Sequence, residues 1–116
     1  MLTKKDYCDY DTCVALDELG CPIPKYATIN IHTKEKEWKM WLTLYEAQKW
    51  LREKKKIEVN AAWDNEKSYW FWYINEMTDI DYYDSIVSES IYDSYEEALL
   101  EGIKKVIKIL KEKDND

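Results

Sequence analysis

The sequence predicts an α+β fold: a single domain over residues 1–116, with an antiparallel sheet of four to five strands and about three helices mainly on one face. Three observations carry that prediction. Apolar and polar residues alternate through two paired stretches, 26–42 and 57–74, at the period of half-buried strands. Two Ser/Thr-x-x-Glu patterns each open a run with helical spacing. No linker, repeat or low-complexity tract divides the chain, which has only two glycines and two prolines.

The elements follow in order. Asp11 or Thr12 is placed to cap a short helix whose Cys13, Val14, Leu16 and Leu19 recur at helical spacing, and Gly20 with Pro22 ends it. After Pro24, residues 26–33 set Ala27, Ile29 and Ile31 against Thr28, Asn30 and His32, a strand with one buried face. A turn at 34–37 leads to Trp38, Met40 and Leu42, which alternate with Lys39 and Trp41 and complete a hairpin. Thr43 and Glu46 then form a capping box, and Leu44, Ala47, Trp50 and Leu51 fall on one helical stripe that closes at Lys54, Lys55 and Lys56, where the helix dipole favours positive charge.

The second hairpin is the firmest. Ile57, Val59, Ala61 and Trp63 alternate with Glu58, Asn60, Ala62 and Asp64, a turn occupies 64–67, and 69–74 is almost wholly apolar. Residues 86–92 add an edge strand. Ser94 and Glu97 repeat the capping box ahead of Leu99, Ile103, Val106 and Leu110, the stripe of the last helix.

Three stretches carry a family resemblance: the helix ending at Leu19-Gly20 before a Pro-containing turn, residues 42–57 (LTLYEAQKWLREKKKI) and residues 94–110 (SYEEALLEGIKKVIKIL). On these the chain resembles small uncharacterised proteins of Bacteroidota, often associated with prophages or other mobile elements. The resemblance implies a small α+β fold and a phage origin. It supplies no activity and no site residues.

Charge and composition narrow the function. The net charge is −7, and it is uneven: residues 1–56 hold 11 basic and 9 acidic side chains, whereas residues 57–116 hold 6 and 15. Between Glu76 and Glu97 lie eight carboxylates (Glu76, Asp79, Asp81, Asp84, Glu89, Asp93, Glu96, Glu97) and no lysine or arginine, a surface that repels phosphate backbones. No stretch approaches the roughly 18 apolar residues of a membrane span, and the charged start lacks the apolar run of a signal peptide. An odd set of three cysteines, all near the start, fits reduced thiols better than a disulfide framework. These features predict a cytoplasmic protein.

The aromatic hairpin is the most informative candidate site. With Trp63 paired to Ser68, Ala61 faces Trp70, Val59 faces Trp72 and Ile57 faces Ile74, one apolar face that packs under the helices. The opposite face then shows Tyr69, Phe71 and Tyr73 beside Ala62, Asn60 and Glu58. Either a following segment covers this strip, with Tyr82, Tyr83 or Ile86 as candidates, or it is an interface. No basic stripe interleaves with it, which excludes the usual footprint of nucleic-acid binding.

Other constellations are weaker. Cys8, Cys13, Cys21 and His32 are zinc-ligand types but lack any Cys-x-x-Cys knuckle. Asp79-x-Asp81-x-x-Asp84 offers oxygens for Ca²⁺ but lacks the glycine turn and distal glutamate of an EF-hand. With Gly20 and Gly102 alone, no phosphate-cradling glycine loop exists. The expected function is therefore a non-enzymatic intracellular interaction protein, self-associating or binding another protein through Tyr69, Phe71, Tyr73 and Asn60, without cofactor, metal, nucleic acid or membrane. Two alternatives stay open: an acidic inhibitor that mimics nucleic acid, and a small enzyme using Cys, His and Asp side chains.

Overall fold

A computed structural model describes residues 1–77 and 83–114. Helix α1 (Tyr10–Glu18) follows a 3-10 turn at Lys4–Asp6. Its N-cap is Asp9, whose carboxylate accepts from the Thr12 amide at 2.9 Å, so the helix starts ahead of the predicted caps Asp11 and Thr12. The reason is local: Thr12 stands at the third helical position, where its own amide needs an acceptor. At the other end Cys21 N–H bonds to the Leu16 carbonyl and Gly20 N–H to that of Asp17, a Schellman closure that requires Gly20 at φ +99°.

The Asp9 carboxylate also meets Lys104 of the last helix at 3.2 Å. Burial raises its pKa, but the hydrogen bonds from Thr12 and then the Lys104 charge outweigh this and leave the carboxyl below 3.8. Replacing Asp9 with alanine is expected to lower stability by about 1 kcal/mol through loss of the cap. Because the folded pKa lies below the unfolded one, that contribution is complete above about pH 4 and disappears as the pH falls through the lowered value. Urea midpoints of the two proteins should therefore differ at pH 7 and draw together as the pH falls below about 4.

Strands β1 (Lys25–Ile29) and β2 (Lys36–Met40) pair antiparallel, with Lys25 opposite Met40 and Ile29 opposite Lys36. They form a sheet of their own. The three-stranded sheet contains β3 (Ile57–Asp64), β4 (Tyr69–Met77) and β5 (Tyr83–Val87) in that spatial order, all antiparallel. The predicted single sheet of four to five strands is thus two sheets of two and three strands. The division falls at helix α2 (Leu44–Lys54), which leaves the base of β2 at once and packs on β3, so the first hairpin never reaches a free edge of the second.

The first hairpin stands out from the body. Every residue of β1 is exposed, with Ile29 at 64% and Ile31, in the turn beyond it, at 87%. This corrects the expectation that Ala27, Ile29 and Ile31 form a buried face. The radius of gyration is 16.1 Å, against about 13 Å for a compact chain of this length.

Helices α2 and α3 (Tyr95–Asp114) cover one face of the three-stranded sheet. The capping box that opens α2 is formed as predicted: Thr43 Oγ1 accepts from the Glu46 amide at 3.1 Å and Glu46 Oε1 accepts from the Thr43 amide at 3.2 Å. Ser94 accepts from the Glu97 amide at the start of α3. Their apolar stripes, Leu44, Ala47 and Leu51 from α2 with Leu99, Ile103 and Val106 from α3, close on Ile57, Val59, Ala61, Trp72 and Ile74 as one core. Gly102 lies where α3 crosses the sheet, so close that a Cβ there would sit 2.8 Å from Val59 Cγ2 and 3.0 Å from Trp72 Cβ.

The β3–β4 register runs two residues beyond the expected one: Trp63 pairs with Trp70, Ala61 with Trp72, Val59 with Ile74 and Ile57 with Glu76. The cause is the turn. Asp64 Oδ1 accepts from the amides of Glu66 and Lys67, Ser68 N–H returns to the Asp64 carbonyl, and Ser68 takes φ 57°, which makes a four-residue connection closed by Asp64 and Tyr69. A shift of two preserves which residues share a face. The free edge of β3 is occupied by side chains: Gln48 Nε2 donates to the Val59 carbonyl at 2.8 Å, and the Asn60 side-chain oxygen accepts from the Ala61 amide at 2.9 Å.

The predicted edge strand at 86–92 is displaced towards the N-terminus. β5 ends at Val87, Ser88 bonds both ways with Trp72, and the chain bulges through 89–91 before Tyr92 rejoins Trp70.

Candidate functional site

The outer face of the three-stranded sheet carries Tyr69, Phe71 and Tyr73 on β4, with Asp64, Ala62, Asn60 and Glu58 on β3 and Val87 on β5 beside Tyr73. The two-residue register correction moves each aromatic residue one step along its partners: Tyr69 faces Asp64, Phe71 faces Ala62, and Tyr73 faces Asn60. All three rings are half-buried by their neighbours in the sheet, and Tyr69 and Phe71 meet edge to face at 6.5 Å between centroids. No helix packs on this side among the described residues, and Val87 remains 55% exposed.

Of the proposed covers, Ile86 lies opposite Ile74 and so belongs to the inner face, whereas Tyr83 pairs with Met77 at an outer-face register position of β5. Tyr82 lies outside the described residues. Asn60 holds its place through two bonds, accepting from Ala61 N–H and from the Tyr95 hydroxyl at 3.0 Å. Tyr95 in turn stacks edge-on against Trp70, and Trp70 against Trp63, so Asn60 is tied to an aromatic row at the end of the inner face. The face as a whole is apolar at its centre, with carboxylates Asp64 and Glu58 towards its two ends and no lysine or arginine.

Other predicted groups are dispersed. His32 sits in the exposed turn of the ribbon, whereas Cys8, Cys13 and Cys21 are buried and unpaired. Cys8 precedes the N-cap of α1 and Cys13 is the fourth helical residue, the two positions of a hydrophobic staple, which accounts for both in packing terms. The Cys13 thiol and burial together raise the pKa of Cys8, and burial followed by the nearby Cys13 and Asp17 pushes Cys21 up to about 11. These two thiols are protonated at neutral pH and poor nucleophiles. The zinc set and the Cys–His pair are not assembled, and among the described residues no three His, Cys, Asp or Glu side chains could hold a metal. Asp79 and Asp81 of the Ca²⁺ pattern lie outside the described residues.

Within the acidic stretch, Glu76 is paired with Lys113 of α3 at 2.7 Å, while Glu89, Asp93 and Glu97 are exposed. One feature had no sequence signal: a cleft of about 950 Å³ between the N-terminal segment, the base of β2 and the first turns of α3, lined by Leu2, Tyr7, Trp41, Glu96 and Leu100 among others. Its walls come from three distant segments, brought together by the Tyr7–Thr43 bridge and the bond from the Tyr45 hydroxyl to Asp6. Among the described residues no helix is long and apolar enough to cross a membrane. No family model, curated protein or solved structure matches the chain.

Proposed function

We propose that the protein is a non-enzymatic interaction domain that works inside the cell and self-associates through the outer face of its three-stranded sheet. The observation that carries this reading is the pairing of a helix-covered inner face with an outer face on which Tyr69, Phe71, Tyr73 and Val87 have no covering helix among the described residues. Tyrosines flanking a phenylalanine combine large apolar area with polar tips, the composition of interface centres. A phage or mobile-element origin is proposed on the resemblance of the helix ending at Leu19-Gly20, residues 42–57 and residues 94–110 alone.

The acidic-mimic reading has less support, because Glu76 of that stretch is neutralised by Lys113. The enzyme reading loses its motive with His32 at the ribbon tip and the thiols in the core. In sedimentation equilibrium the protein is expected to be a dimer, and Phe71→Asp and Tyr73→Arg are expected to give folded monomers. A wild-type monomer at high micromolar concentration would remove the proposal.

A further inference from the structure

We infer that the occupant of the outer sheet face is the β1–β2 ribbon of a second copy of the chain. The inference rests on the self-association proposed above and names the element that makes it. Two apolar sheet faces lie open among the described residues: the outer face of β3–β4–β5, and the ribbon face bearing Ala27 and Ile29 beyond its base, where α1 meets β2 and Met40 packs against the core. Alternation of this kind marks a strand with one covered side, yet Ile29 and Ile31 are 64% and 87% exposed.

The two faces are complementary in charge. Register places Lys25, Ala27 and Ile29 on one ribbon face with Met40 and Lys36, a face with two lysines and no carboxylate. Lys25 is engaged by Asp17 of its own chain at 3.3 Å, which leaves Lys36, with Lys34 of the adjoining turn, beside the isoleucines. The outer sheet face has the converse pattern, aromatic residues between Asp64 and Glu58 with no base. A basic apolar strip thus meets an acidic aromatic one.

The dimensions agree as well. Glu58 and Asp64 are six residues apart on β3, about 20 Å at about 3.3 Å per residue. The ribbon from Lys25 to Ile29 spans about 13 Å by the same rise, and fits between those carboxylates with Lys36 and Lys34 at its tip reaching towards one of them. One ribbon on one sheet is small for a stable interface, which needs roughly 1,200 Å² or more in total. A twofold axis makes the contact twice, each copy giving its ribbon and receiving the other's.

The test is sedimentation of the full chain and three variants, with circular dichroism confirming the fold. Ile29→Asp/Ile31→Asp changes two exposed ribbon residues, and Phe71→Asp, backed by Tyr73→Arg, changes the receiving face. Each variant alone is expected to lose dimerisation on the order of tenfold or more, the loss typical of a central contact. An equimolar mixture of the ribbon variant and a face variant is expected to associate more than either component but less than wild type, since one of the two contacts then joins an intact ribbon to an intact face. A ribbon variant that dimerises like wild type, or a mixture no more associated than its components, overturns the ribbon inference and leaves a sheet-to-sheet dimer standing. A monomeric wild type overturns both.

Discussion

Replacing Gly102 with alanine is expected to destabilise the protein by about 1 to 3 kcal/mol, although alanine is the better helix former by about 1 kcal/mol. The new Cβ would meet Val59 Cγ2 at 2.8 Å and Trp72 Cβ at 3.0 Å. Neither neighbour is a flexible chain end: Val59 is fully buried and stiff at χ1, and the Trp72 atom is fixed to the sheet backbone. The helix must therefore lift from the sheet, loosening Leu99, Ile103 and Val106 together. Val59→Ala is expected to cost stability by itself, yet it removes the nearest obstructing methyl. The double variant should lose less than the sum of the two, with a coupling of about 0.5 to 3 kcal/mol for residues in contact. Urea denaturation of the four proteins measures it, and strict additivity would show that α3 does not rest on the sheet at this point.

Leu99→Ala is expected to cost more, about 2 to 5 kcal/mol, because it opens a cavity in a core whose partners cannot collapse to fill it. Leu99 is fully buried on α3 among residues drawn from both helices and the sheet. Against a total stability of roughly 5 to 15 kcal/mol for a domain, that is a large share. Ile31→Ala in dilute protein is the contrasting case, with an expected change within about 0.5 kcal/mol, since the side chain is 87% exposed. The sequence pattern predicts both as buried apolar positions, and thermal unfolding of the two variants should separate them by about 10 °C or more, taking several degrees per kcal/mol at this chain length.

That contrast marks how far the sequence is legible. The two long helices are readable because cap and stripe are local: Thr43 and Glu46 are three residues apart and bond to each other, and Leu99, Ile103 and Val106 recur along a single helix. The two faces of the second hairpin are readable because strand parity is local too. Its register is not, since it depends on the Asp64 side chain closing a four-residue turn around Ser68. Alternation in residues 26–33 states which side chains share a side, but what lies over that side is decided by the course of α2, which begins only at Leu44 and carries the chain away from the ribbon. The candidate face was likewise found from parity, while its neighbours Asp64 and Val87 required the register, and the cleft by Trp41 required the whole fold.

The side chains along β3 have a consequence for assembly. Gln48 and Asn60 bond to the Val59 carbonyl and the Ala61 amide, the groups through which another strand would be templated on that side. In the three-stranded sheet strand addition is thereby hindered at β3, and on the other side the bulge at 89–91 interrupts the pairing with β4. A sheet blocked at one edge does not propagate by repeated edge joining into a fibril.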